Sequence, residues 1–230
     1  MRQIVLDTET TGLDPQQGHR IIEIGAVEMI NRKLTGNNFH VYLNPQREID
    51  AAAVNVHGLT NKFLQDKPLI AEIADQFLGY LSDSELIIHN ARFDIGFIKA
   101  ELSRLNKKLM DNLRVIDTLA MAKEKHPGQK NNLDALCRRY NIDNSKRELH
   151  GALLDANLLA QLYLVMTGGQ GSLFDEETGE SDALHKITKA QKKSALKIIR
   201  ASELELQLHT ERLDEIQKIS KNCLWLNTCQ

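Results

Sequence analysis

Apolar positions along the first two thirds of the chain alternate between two rhythms. Short, dense runs occupy residues 4–6, 21–30 and 39–43, the pattern of buried β-strands. Only short turns separate the second run from the third, so these strands pair antiparallel, since a parallel crossover needs a dozen or more residues. Helical spacing then appears at Leu69, Ile73, Phe77, Leu78 and Leu81. A short strand over 86–88, a helix over about 94–105 and a strand over 113–116 follow. Asn132 reads as the cap of a helix carrying Leu133, Leu136 and Cys137, and a last strong helix covers about 152–166. Three antiparallel strands followed by β-α-β units predict an α/β fold, a mixed sheet with helices on its faces.

The rhythm stops at Gly168-Gly169. Residues 170–182 are rich in Gly, Ser and acid, with Asp175, Glu176, Glu177, Glu180 and Asp182, too little apolar surface to fold alone. A basic segment follows, then a helix whose start at Ser202 and Glu205 fits a capping box. Leu204 and Leu208 open its apolar stripe. This divides the chain into a domain over 1–168, a flexible linker over 169–183 and a helical segment over 184–230.

Composition narrows the function. The 230 residues carry 29 Lys and Arg against 31 Asp and Glu, a net charge of -2. A protein that coats long duplex by charge alone would be basic; a short or metal-assisted nucleic-acid contact stays open. The three cysteines, Cys137, Cys223 and Cys229, show no metal-ligand spacing. Cys137 reads as helix packing and the other two as tail residues. An odd cysteine count with no secretory run and no membrane-length apolar stretch points to a reduced, cytoplasmic protein without a membrane partner. The single Trp, Trp225, stands near the C-terminus.

The chemistry lies in the acids at element ends. Asp7 and Glu9 stand two apart at the end of the first strand and so share a face. Carboxylates held together repel unless a cation sits between them, and hard oxygen donors suit Mg²⁺ or Mn²⁺. Asp94 follows the strand over 86–88; alone it could equally be a helix N-cap. His150 and Asp155 are five apart, about 140° on a helix, so they converge only if His150 lies on the loop before the helix and Asp155 in its first turns. Together these residues are the set that two-metal phosphodiester hydrolysis needs, with a histidine able to take a proton near neutral pH.

Asp7-Thr8-Glu9-Thr10-Thr11-Gly12, His89-Asn90-Ala91-x-Phe93-Asp94 and His150-x-Ala152-x-x-Asp155 resemble the three motifs of the DEDDh 3′→5′ exonuclease superfamily. That resemblance implies a ribonuclease H-like fold, with Asp7, Glu9, Asp94 and Asp155 holding two divalent ions and His150 as general base. It also implies that Asp7, Glu9, Thr10, Thr11, Gly12 and Asp155 hold a single-stranded DNA 3′ end. His57-Gly58-Leu59 is similar to a family segment beside the nucleotide pocket, a turn histidine being the plain alternative. Arg92 occupies a variable position and reads as solvated.

Residues 21–28, 133–137, 143–147 and 223–225 further resemble the proofreading exonucleases of bacterial replicases. This implies removal of mispaired 3′-terminal nucleotides, with a small theta-type subunit as a partner found in some family members. Gln170, Leu173 and Phe174 resemble a sliding-clamp-binding peptide, although Gly171 departs from the aliphatic residue usual there. The helix after Ser202, with Leu204, Leu208 and Trp225, resembles the segment that docks the polymerase catalytic (alpha) subunit. A ribonuclease trimming RNA ends and a non-catalytic scaffold subunit are the rival expectations; the polymerase-like tail opposes the first and the complete acid set the second.

Overall fold

The computed structural model describes residues 1–110, 112–145, 147, 149–168, 201–221, 223 and 225. The chain separates into two compact units, 1–175 and 176–230. The first is built on a five-stranded sheet of β1 (Arg2–Thr10), β2 (Ile21–Ile30), β3 (Lys33–Tyr42), β4 (Glu85–Ile88) and β5 (Arg114–Asp117), in the order β3-β2-β1-β4-β5. β1 pairs antiparallel with β2 and β2 with β3, whereas β4 runs parallel to both β1 and β5. The mixed sheet expected from the loop lengths is therefore present, with β1 at its centre.

Eight helices are described: α1 (Ala51–His57), α2 (Asn61–Leu64), α3 (Ile70–Leu81), α4 (Ala91–Arg104), α5 (Thr118–Lys125), α6 (Leu133–Arg139), α7 (Ala152–Thr167) and α8 (Glu203–Ser220). The period-two pleat of β1 sends its side chains to two cores. Ile4 and Leu6 join Phe77 and Leu81 of α3 and Phe97, Ile98 and Leu102 of α4. Val5 turns the other way, to Leu136 and Cys137 of α6 and Leu159, Leu162 and Tyr163 of α7. Burying each such side chain fully is worth roughly 1.5–3 kcal/mol, so both helix layers are anchored on one strand.

Several boundaries differ from the sequence expectation. β1 continues past Leu6 to Thr10, so Asp7 and Glu9 lie inside the strand, paired with Gly25 and Glu23. α4 begins at Ala91, with Asn90 as its N-cap in a left-handed conformation (φ 67°). Asp94 is thus a residue of the first turn and not the cap. α1, α2 and α5 have no counterpart in the expected elements.

In the second unit α8 opens with the expected capping box between Ser202 and Glu205. Leu204, Leu208 and Trp225 are exposed, while Cys223, expected as a tail residue, is buried. No helix among the described residues is long and apolar enough to cross a membrane.

Candidate active site

The acids gather at the end of β1 because its two faces deliver different helices to that point. Thr8 shares the face of Leu6 and donates its hydroxyl to Asp94 Oδ1 on α4 at 2.7 Å. Asp7 and Glu9 share the face of Val5, toward α7. The N-terminal turn of α7 reaches them because Gly25, opposite Asp7, has no side chain. A Cβ there would stand 2.1 Å from the Leu153 nitrogen and 2.2 Å from the Ala152 carbonyl carbon.

Asp155 sits in the first turn of α7 and its amide donates to the Gly151 carbonyl at 2.8 Å. His150 lies on the loop just before the helix, with Nδ1 3.5 Å from Asp155 Oδ2. Its amide donates to the Val56 carbonyl of α1 at 3.1 Å, which pins the loop. Asp7, Glu9, Asp94, His150 and Asp155 line one cavity of about 320 Å³, with Asp134, Arg147 and Asn132. One donor atom each from Glu9, His150 and Asp155 falls within 4.8 Å of the others.

The electrostatics of this cluster call for positive charge. Burial, then repulsion from Asp94, Glu9 and Asp155, holds Asp7 well above the usual carboxylate range. Burial, then Asp155 and Glu23, pushes Glu9 up to about 8. Asp94, also buried, rises to about 7 despite the Thr8 hydrogen bond. His150 is moved the other way by burial and by Arg147, so its neutral form is favoured. Acids that resist ionisation beside a neutral imidazole form a donor set suited to a hard divalent cation. The residues present therefore fit the metal that the motifs imply.

A second, more apolar cavity of about 410 Å³ adjoins the first. It shares Thr8, Glu9 and Phe93 with it and adds Thr10, Gly12, Leu13, Val56 and His57. His57 is buried; its Nδ1 accepts the Leu59 amide at 3.0 Å, and its Nε2 has no hydrogen-bond partner. Thr11 lines neither cavity. Its hydroxyl lies 3.0 Å from His19 Nδ1 and accepts the Arg20 amide at 3.0 Å, and the His19 ring closes over Gly12 where a Cβ would otherwise stand. Thr11 thus shapes the strand exit from behind. Arg92 is exposed, as expected. Gln170, Leu173 and Phe174 fall outside the described residues.

Asn132, Asp134 and Arg147 line the site but have no counterpart among the candidate site residues. Arg147 donates from Nε and Nη2 to the two oxygens of Asp155 at 2.5 and 2.7 Å, and from Nη1 to Asp134 at 2.8 Å. Its Nη2 also lies 2.9 Å from His150 Nδ1. Three residues upstream of a motif histidine, it carries no spacing signal of its own.

Residues 4–163 match the family described as Exonuclease, RNase_T. The DNA polymerase III subunit epsilon of Escherichia coli (strain K12) is 51% identical over 238 residues, covering 97% of each chain. Its Salmonella typhimurium counterpart is 52% identical over 235 residues, again 97% of each. That of Rickettsia felis is 51% identical over 224 residues, 95% of this chain and 98% of the relative. Among solved structures, Exonuclease X in complex with 5′ overhanging duplex DNA is 26% identical with a TM-score of 0.58, covering 71% of this chain and 90% of that one. The zinc-bound E. coli exonuclease I complex with single-stranded DNA, 19% identical with a TM-score of 0.66 over 76% of this chain and 42% of that one, has the same fold.

Proposed function

This chain belongs to the RNase_T exonuclease family, in its DNA polymerase III epsilon branch, and from that premise we propose how its acid site performs the reaction of that branch. The protein is a metal-dependent 3′→5′ exodeoxyribonuclease that proofreads during DNA replication. Asp7, Glu9, Asp94 and Asp155 hold two divalent ions, Mg²⁺ or Mn²⁺. The observation that carries this reading is the convergence of Glu9, His150 and Asp155 on one point within a cluster of four carboxylates, three of them buried. The chemistry such ions supply is activation of the attacking water and neutralisation of charge on the leaving oxygen.

The chain's own residues do the rest. His150, whose neutral form is favoured by partial desolvation and by the Arg147 charge, takes the proton of the attacking water. Thr8 keeps the Asp94 carboxylate turned inward. The apolar cavity bounded by Thr10, Gly12, Leu13, His57 and Phe93 receives the 3′-terminal nucleotide. A mispaired end frays from its duplex more readily than a paired one, so a pocket of this kind selects mispairs without reading the base. The product is a deoxynucleoside monophosphate.

The remaining assignments concern partners. Leu204, Leu208 and Trp225, all exposed, dock the polymerase catalytic subunit; Trp is a favoured interface anchor. Gln170, Leu173 and Phe174 contact the sliding clamp. The site of action is the cytoplasm, where the bacterial chromosome is copied. Digestion of 3′-labelled paired and mispaired primers, with and without Mg²⁺, tests the active site. Asp7→Ala is expected to lower the rate by about 10²–10³-fold, the order lost when a preorganised electrostatic group is removed, with the circular dichroism spectrum unchanged. Full activity of the folded variant refutes the metal assignment.

A further inference from the structure

Arg147 is an unusual neighbour for a metal ligand. Its side chain is only 6% exposed, and its guanidinium spans both oxygens of Asp155 in the paired fork that arginine makes with carboxylates. The same group reaches Asp134 and His150. A guanidinium has donors only, so in its contact with Arg147 the Nδ1 of His150 must accept. A neutral imidazole then carries its proton on Nε2. Neither nitrogen is left with a free lone pair: Nδ1 is engaged by Arg147 and Nε2 is protonated. In this arrangement His150 cannot take a proton from water.

Asp155 is the shared element. A guanidinium this close to the carboxylate already supplies its positive charge and repels a second cation. Asp134 offers Arg147 a place to remain once Asp155 is released, since that ion pair uses the separate Nη1 donor. We propose that Arg147 competes with the divalent cation for Asp155, and that while seated there it keeps His150 from acting as a base. The cation that assembles the site thereby also frees its base, so the two steps are linked through one side chain. This rests on Asp155 being a metal ligand, as argued above.

The test is calorimetric titration of Mn²⁺ alone into the full chain and into Arg147→Lys and Arg147→Gln. Lysine retains the charge but cannot span Asp155, Asp134 and His150 together. Both variants are expected to bind Mn²⁺ about tenfold more tightly, the equivalent of one lost charge-assisted contact. In chelator both should melt lower than the parent, and saturating Mn²⁺ should narrow that gap. In chelator, ¹⁵N resonances of His150 in the parent should report the Nε2–H form. Unchanged or weaker Mn²⁺ affinity in the variants overturns the competition, as does tighter binding in Arg147→Gln alone, which would reflect net charge. An Nδ1–H form in the parent overturns the block on His150. Absence of Mn²⁺ binding in all three proteins overturns the metal assignment and the competition with it.

Discussion

Gly25 decides how closely the two halves of the site approach. The atoms that a side chain at this position would strike belong to the α7 backbone, so no rotamer change relieves the overlap. Gly25→Ala is expected to cost at least about 1–3 kcal/mol in urea unfolding, as overpacked interiors do, and to weaken Mn²⁺ binding by moving Asp155 away from Asp7. Unaltered binding in the variant would show that the site tolerates a shifted helix. In the sequence Gly25 is one position in an apolar run, and nothing near it signals a helix that begins after residue 150. Asp7, Glu9, Asp94, His150 and Asp155 were legible because each belongs to a local motif. Arg147 was not, because its contacts follow from the path of a loop. His57 was only half legible, since its burial depends on α1.

Among the elements, the junction of β4, β5, α4 and α5 depends on one carboxylate. Asp117 ends β5 and accepts the amides of Leu119 and Ala120 at the start of α5. It also accepts the amides of Asn90 and Ala91 at the start of α4. It thereby neutralises unsatisfied donors of two helices. Asp117→Ala should lose more than the roughly 1 kcal/mol of a single cap, and exonuclease activity should fall further than stability alone explains, because α4 carries Asp94. Thermal melts and primer digestion on the same preparation check both. Short elements leave no sequence signal for related reasons. α1 is a seven-residue run dominated by Ala and Val, and α5 is eight residues following directly on a strand; neither is long enough for a period to emerge. The apolar pattern marks only residues 39–43 of this region, whereas β3 starts at Lys33, because its first six residues are exposed and lack alternation; their place in the sheet comes from pairing with β2.

For the molecule as a whole, two helix layers press a set of mutually repelling acids together at the centre of the sheet. In the fold Glu9 keeps its proton to about 8 and Asp94 to about 7, whereas in an unfolded chain such groups ionise near about 4. Raised carboxyl pKa values mean that the folded state binds more protons over this interval, so stability from these groups is full below about pH 4 and falls as pH rises toward about 8. Melting in chelator should therefore drop across this window. The rise in melting temperature on adding Mg²⁺ should grow over the same window, since the ion needs the deprotonated acids. A metal-induced rise independent of pH would contradict the linkage. The sheet topology has a consequence for synthesis of the protein. The acids of β1 leave the ribosome first and Asp155 leaves with the last helix of the unit, yet all belong to one site. A chain interrupted before residue 150 lacks both His150 and Asp155, so an unfinished product carries Asp7 and Glu9 without the partners that complete the site.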